Sequence, residues 1–224
     1  MSILSELSRF RGAIFDMDGL LLDTERPIFT AAMRASDDLA LGDLSATFLA
    51  MIGMRGDRAM PMLDAALGGR VTLDTFRETW RVHMTELEKE AVGVRPTVVE
   101  LLERLRERDI PCAVATSTHR AAAADLLERS ALAPFFRTLT GGDQVVEPKP
   151  APEIYFVAAA SLGIDARSAC AFEDSGPGTR AAVASGATVV QVPDMTVPDE
   201  EIRALGHLIA ADVLSGARAV GLVD

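Results

Sequence analysis

From Pro96 onward the apolar positions of the chain alternate between two periods. "PTVVELLERLRERD" carries them at helical spacing, and "IPCAVAT" follows as a short continuous run. The same alternation repeats with "AAAADLLERSAL" as helix, "FRTLTGG" as a short strand and turn, and "PAPEIYFVAAASLGI" as a helix whose prolines suit its first turn. "SACAFED" then reads as strand, "GPGTRAAVASG" as helix and "ATVVQV" as strand. Such β-α-β-α order predicts a doubly wound α/β fold, a parallel sheet with helices on both faces, whose ligands bind beyond the carboxyl ends of the strands. An earlier apolar run, Ala13 to Met17, supplies one more strand. From Pro193 the pattern predicts a short helix, an edge strand near Leu208 to Ala210 and a final helix.

Between that first strand and Pro96 the alternation stops. "RPIFTAAMRASDDLA", "LSATFLAMI", "GDRAMPMLDAALGG" and "LDTFRETWRVHMTELEKEA" all have helical spacing, with Pro61 placed to shorten or kink the third. A helical block inserted after one strand predicts two domains, residues 1–22 with 96–224 as the α/β core and 23–95 as a smaller helical cap above the sheet.

Composition narrows the partners. A 224-residue chain that is 49% hydrophobic and 25% charged can bury a sizeable core. A net charge of −11 argues against nucleic acid and anionic membrane and points to a small-molecule partner. No apolar run is long enough to span a bilayer, and "MSILSELSRFR" lacks a basic start followed by an apolar signal core, so a cytoplasmic protein is expected. Cys112 and Cys170 lie in apolar runs and are expected as buried free thiols. Oligomeric state is open, with a monomer favoured.

Chemistry concentrates at the strand ends. "IFDMDG" places Asp16 and Asp18 after the first strand, "CAVAT" ends in Thr116, Ser117 and Thr118, Lys149 stands between prolines in "EPKPAPEIY", and "ACAF" runs into Glu173 and Asp174. Each has an ordinary reading: turn residues, helix N-caps, a solvated lysine. In this order, on successive β-α units, the set resembles the haloacid dehalogenase superfamily of phosphohydrolases and phosphomutases. The helical insert resembles the small cap of its β-phosphoglucomutase-like branch.

That resemblance implies an Mg²⁺-dependent enzyme acting on a small phosphorylated metabolite. Asp16 is then the nucleophile that forms an aspartyl phosphate, and Asp18 the general acid and base. Mg²⁺ takes Asp16, the Asp18 carbonyl and Asp174, with Glu173 either a further ligand or a partner through water. Thr116 donates to the transferring phosphoryl group, seconded by Thr118 or the Ser117 N–H, and Lys149 neutralises charge on Asp16. Gly19, Gly176 and Gly178 serve turns and close backbone approach. In the cap loop "GMRGDR", Arg55 is either a binder of a second phosphate or carboxylate or, like Arg58, ordinary surface charge. Glu25 reads as a hinge or helix cap, His119 as a solvated helix start or, following the hydroxyl cluster, a residue that approaches substrate, and Met54, Met60 and Met62 as core packing.

The leading function is a phosphatase for a sugar phosphate, a polyol phosphate or phosphoglycolate. A sugar phosphomutase is the alternative, and a catalytically silent binding module the second. The mutases carry a histidine where this chain has Ile28 and a cap lysine for which His83 is the nearest candidate, and both departures favour hydrolysis. A phosphonate-cleaving relative needs a cap lysine, and no lysine precedes Lys89. Lid closure is expected about hinges at Asp23 to Arg26 and Gly93 to Pro96.

Overall fold

The structure, a computed structural model, describes residues 9–87 and 92–224. Six strands form one parallel sheet: β1 (Gly12–Phe15), β2 (Cys112–Ala115), β3 (Thr138–Thr140), β4 (Ala169–Glu173), β5 (Thr188–Gln191) and β6 (Leu208–Ile209). Their order is β3-β2-β1-β4-β5-β6. The chain therefore winds outward in one direction from β1 and in the other from β4, and the crevice between those two strands is where such sheets bind ligands. In register, Phe15 pairs with Phe172 of β4 and with Val114 of β2. The residues just beyond these pairs are Asp16, Glu173 and the β2 terminus.

Small residues on one sheet face, Ala113, Ala115 and Ala171 around Ile14, let α7 (Glu153–Ser161) bring Tyr155 and Ala158 close. The opposite face carries Phe15 and Phe172, stacked at 4.7 Å, under α5 (Val98–Glu107) and α10 (Val213–Ala219). The remaining core helices are α6 (Arg120–Arg129), α8 (Gly176–Ala184) and the short α9 (Glu200–Arg203). Cys112 and Cys170 are free and buried, and burial pushes the Cys112 thiol up to about 12. Both pair with Ala13 from opposite sides, so they stand two strand spacings apart, about 9.5 Å, beyond disulfide reach.

The intervening helices are α1 (Glu25–Asp38), α2 (Ser45–Met51), α3 (Gly56–Leu67) and α4 (Leu73–Leu87). They share a separate apolar cluster built on Phe48, Leu63, Leu67 and Phe76, with Trp80 set edge-on to Phe48 at 5.3 Å. Pro61 lies inside α3 without ending it, and Met62 of the methionine trio is exposed rather than packed. Residues 88–91, the expected end of the fourth cap helix, fall outside the described residues, as does Lys89. Among the described residues no helix is long and apolar enough to cross a membrane.

Candidate active site

The strand ends converge on Lys149. Its Nζ donates to Asp16 Oδ1 at 2.5 Å, to Glu173 Oε1 at 2.6 Å and to the Ala115 carbonyl at 3.1 Å, and the lysine is only 3% exposed. Burial alone would depress its pKa, but the Asp16 and Glu173 carboxylates outweigh that cost and lift it, so the ammonium is held charged. The Tyr155 hydroxyl also donates to Glu173 Oε1, at 2.5 Å, and Ser175 Oγ donates to Oε2 at 3.1 Å. Glu173 is therefore occupied at both oxygens. It anchors Lys149, which fits the indirect role left open from sequence, while an oxygen of it also stands with those of Asp16 and Asp174.

Asp18 faces away from this pair, towards three hydroxyls. Thr24 Oγ1 donates to its Oδ1 at 2.8 Å, and Thr116 and Thr118 donate to its Oδ2 at 3.0 and 2.7 Å. The threonines expected at the phosphoryl group thus spend their hydroxyl protons on Asp18 in this state. Thr24 was not singled out from sequence. It occupies the N-cap position of α1 yet makes no capping bond, because Asp18 takes its hydroxyl.

Could a metal ion fit here? Oxygens of Asp16, Glu173 and Asp174 lie within 4.8 Å of one another, all buried. Gly19, at φ +76°, leaves the space: a Cβ there would come within 2.5 Å of Asp174 Oδ2 and 3.0 Å of Glu25 Oε2. Glu25 Oε2 is itself buried with no hydrogen-bond partner. Five carboxyls (Asp16, Asp18, Glu25, Glu173 and Asp174) therefore share a region that holds one ammonium. Burial, then the charges of Asp16 and Asp18, pushes Glu25 up to about 9. Burial, opposed by Lys149 and helped by Glu173 and Asp18, pushes Asp16 up to about 8. Burial, then Glu25 and Asp16, lifts Asp174 well above the carboxylate range. An all-oxygen, anion-rich set of this kind suits a hard divalent cation such as Mg²⁺.

A pH dependence follows. Glu25, with an ordinary pKa of 4.5, binds its proton more tightly folded than unfolded, so its contribution to stability is full below about 4.5 and is lost as pH rises through about 9. The thermal midpoint of the metal-free protein should fall between pH 5 and pH 9 on the order of several degrees. Saturating Mg²⁺ should flatten that fall; equal slopes in calorimetry with and without Mg²⁺ would show that the ion does not neutralise this cluster.

Arg55, a substrate-binding candidate from sequence, is engaged within the protein. Its Nη1 donates to the carbonyls of Gly142 and Val145, each at 3.0 Å, and Nε and Nη2 are taken by Asp57 at 2.8 Å. It latches the cap loop to the core instead. Ser117, also expected at substrate, makes a parallel link, its Oγ donating to the Gly53 carbonyl at 3.0 Å. Arg55→Ala should weaken closure by on the order of 1–2 kcal/mol. Faster amide hydrogen exchange through α2 and α3 would register it, whereas unchanged exchange would mean that the Ser117 link suffices.

Glu25 and Tyr155 are the other residues that sequence reading missed or misread. Glu25, expected as a hinge or cap, opens α1 but turns its carboxyl onto the cluster. Tyr155 sits six positions after Lys149 and is the single tyrosine of the chain. Within "EIYFVAAAS" it reads as core, which it also is. Above Asp16 and Asp18 opens a cavity of about 330 Å³, roofed by cap side chains including Ile28, Phe48, Met54 and Trp80. His83 stands apart, its Nε2 2.8 Å from Asp38. His119 caps α6 through its own Nδ1 and also lines the cavity.

The family model described as haloacid dehalogenase-like hydrolase matches residues 13–192. A phosphorylated carbohydrates phosphatase of Thermotoga maritima is 35% identical over 179 residues, 77% of this chain and 80% of the relative. A putative β-phosphoglucomutase from Thermotoga maritima superposes with a TM-score of 0.76 at 27% identity, covering 96% of this chain and all of the other. A family hydrolase from Deinococcus radiodurans, solved with bound phosphate and sodium, gives 0.75 at 25% identity over 96% of this chain and 98% of its own. Sequence match, strand order and the carboxylate crevice agree: the chain belongs to the haloacid dehalogenase-like hydrolase family.

Proposed function

We propose that this chain is an Mg²⁺-dependent phosphatase that hydrolyses a small phosphate monoester through a phosphorylated Asp16, beneath a helical cap formed by residues 23–95. The observation that carries this reading is the division of labour between the two aspartates: Asp16 is bound to a charged lysine, Asp18 to three hydroxyls. Lys149 fixes Asp16 Oδ1, which leaves Oδ2 as the attacking atom. Attack forms the Oδ2–P bond and breaks the P–O bond to the alcohol, whose oxygen leaves with a proton from Asp18. Asp18 then takes a proton from water as that water attacks phosphorus, which frees inorganic phosphate and regenerates Asp16. Thr24, Thr116 and Thr118 hold the Asp18 carboxyl in one orientation for both transfers.

Asp16 and Asp174, with the Asp18 carbonyl that the family resemblance implies, would hold Mg²⁺, which supplies positive charge against the phosphoryl oxygens. With a net charge of −11 on the protein, Lys149 is the chain's own cation for the anionic substrate at this crevice.

Hydrolysis is favoured over phosphoryl transfer to a second sugar hydroxyl because the ionisable cap residue of the described lining, Glu25, lies on the floor against Gly19 and Asp174 and not in the roof. Ile28 presents an apolar side chain there, and among the described residues no cap histidine or lysine lines it. The test is phosphate release from a panel of monoesters in Mg²⁺ and in chelator. Release in Mg²⁺ alone is the expected result. Isomerisation of β-glucose 1-phosphate with a bisphosphate primer, without release, would replace the phosphatase with a mutase.

A further inference from the structure

Granted phosphatase chemistry at Asp16, we infer that the alcohol portion of the substrate is apolar, a compact branched alkyl or single-ring group, and not the polyhydroxylated chain of a sugar or polyol. The roof of the cavity carries this. Ile28, Phe29, Phe48, Met54, Met60 and Trp80 all line it, from all four cap helices and the loop before α3. Trp80 has a polar handle, but its Nε1 donates to the Ile28 carbonyl at 3.2 Å, so only its ring is offered to a ligand.

Hydroxyl side chains of the lining are engaged within the protein. Ser117 Oγ donates to Gly53, Thr118 Oγ1 to Asp18, and His119 takes the Ala121 N–H on Nδ1 with Nε2 3.4 Å from Asp143. The guanidinium of Arg55, in the loop before α3, is tied to Asp57, Gly142 and Val145. Glu25 alone among the described lining residues keeps a buried, unpartnered oxygen, and it lies on the floor against Gly19 and Asp174, where the phosphoryl end binds.

A polyol drawn into this roof would lose water from several hydroxyls and find hydrocarbon side chains opposite them, whereas an alkyl or aryl group loses nothing and gains the apolar contact. Size sharpens the choice. At about 330 Å³ the cavity is at the small end of the ligand range of roughly 300–1,000 Å³, and the phosphoryl group takes part of it. The carbohydrate substrate in the printed name of the 35% identical relative is therefore not carried over to this chain.

The test uses the intact enzyme with Mg²⁺ and three kinds of probe: 3-methylbutyl and benzyl phosphates, erythritol 4-phosphate with sorbitol 6-phosphate, and acetyl phosphate as a reporter of chemistry at Asp16 that needs no roof contact. Since an apolar pocket disfavours an added hydroxyl by about 100-fold, kcat/KM for the alkyl ester should exceed that for erythritol 4-phosphate by at least this factor. Ile28→Gln should shrink the alkyl-to-polyol ratio about tenfold by placing an amide in the roof. Turnover of acetyl phosphate with equal or better use of the polyol esters would overturn the apolar assignment and leave the phosphatase standing. Failure to release phosphate from any probe, acetyl phosphate included, would remove the phosphatase reading and this inference with it.

Discussion

Asp16→Asn is expected to lower phosphate release by roughly 10⁴- to 10⁶-fold, the scale on which enzymes lose rate when a nucleophile is removed. The amide oxygen can still accept from Lys149, which keeps its bonds to Glu173 and the Ala115 carbonyl, so the local geometry has three reasons to persist. Stability should move the other way from activity. Burial and neighbouring carboxylates hold Asp16 up to about 8, which means that its charge is disfavoured in the metal-free fold. A neutral side chain of the same shape removes that penalty, and the thermal midpoint of the metal-free variant should equal or exceed that of the parent at pH 8. A variant that folds and still turns over at the parental rate would show that phosphorus is attacked by something other than Asp16.

Lys149→Met should do the opposite to stability. The methionine fills similar volume, but it leaves Asp16 and Glu173 facing each other without a cation in a site where Glu173 has no exposed surface. Breaking a buried pair in this way costs about 3–5 kcal/mol. Release of phosphate should fall at least about 100-fold, since the preorganised charge on Asp16 and the phosphoryl oxygens is gone. Adding Glu173→Gln separates the two effects. The double variant no longer buries an uncompensated carboxylate at 173, so it should recover part of the lost stability while its activity stays low. If the double variant were as unstable as the single, the role of Lys149 in packing, not its charge, would account for the loss.

Much of the site was legible because strands position whatever follows them. Asp16 and Thr116 come immediately beyond β1 and β2 and Glu173 is the last residue of β4, and a parallel register aligns those ends without further information. Lys149 was legible only as a lysine between prolines; that its ammonium bridges two carboxylates depends on the loop after β3 folding back over β1. Glu25 and Thr24 were read as parts of a hinge because "DTER" preceding an apolar helix has the composition of a helix start. Their side chains turn inward because the segment crosses the carboxyl ends of the sheet, and chain spacing carries no record of that direction. The bonds of Arg55 were illegible for a related reason. A guanidinium between glycines is equally suited to a ligand or to backbone carbonyls, and the core loop at Gly142 to Val145, far along the chain, supplies the carbonyls.

By itself, then, the order of apolar periods determined the parallel sheet, the helical insertion and the set of groups at the strand ends, since a two-residue period, a 3.6-residue period and strand direction are all local properties. Tertiary structure alone decided which of those groups bind each other, which carboxyls are left crowded and unneutralised, and that the cap turns hydrocarbon towards the crevice. The physical reason is that burial and charge act across space. A carboxyl acquires its pKa, and a cavity its polarity, from neighbours that the chain brings in from far along the sequence, 133 positions away in the case of Lys149 and Asp16.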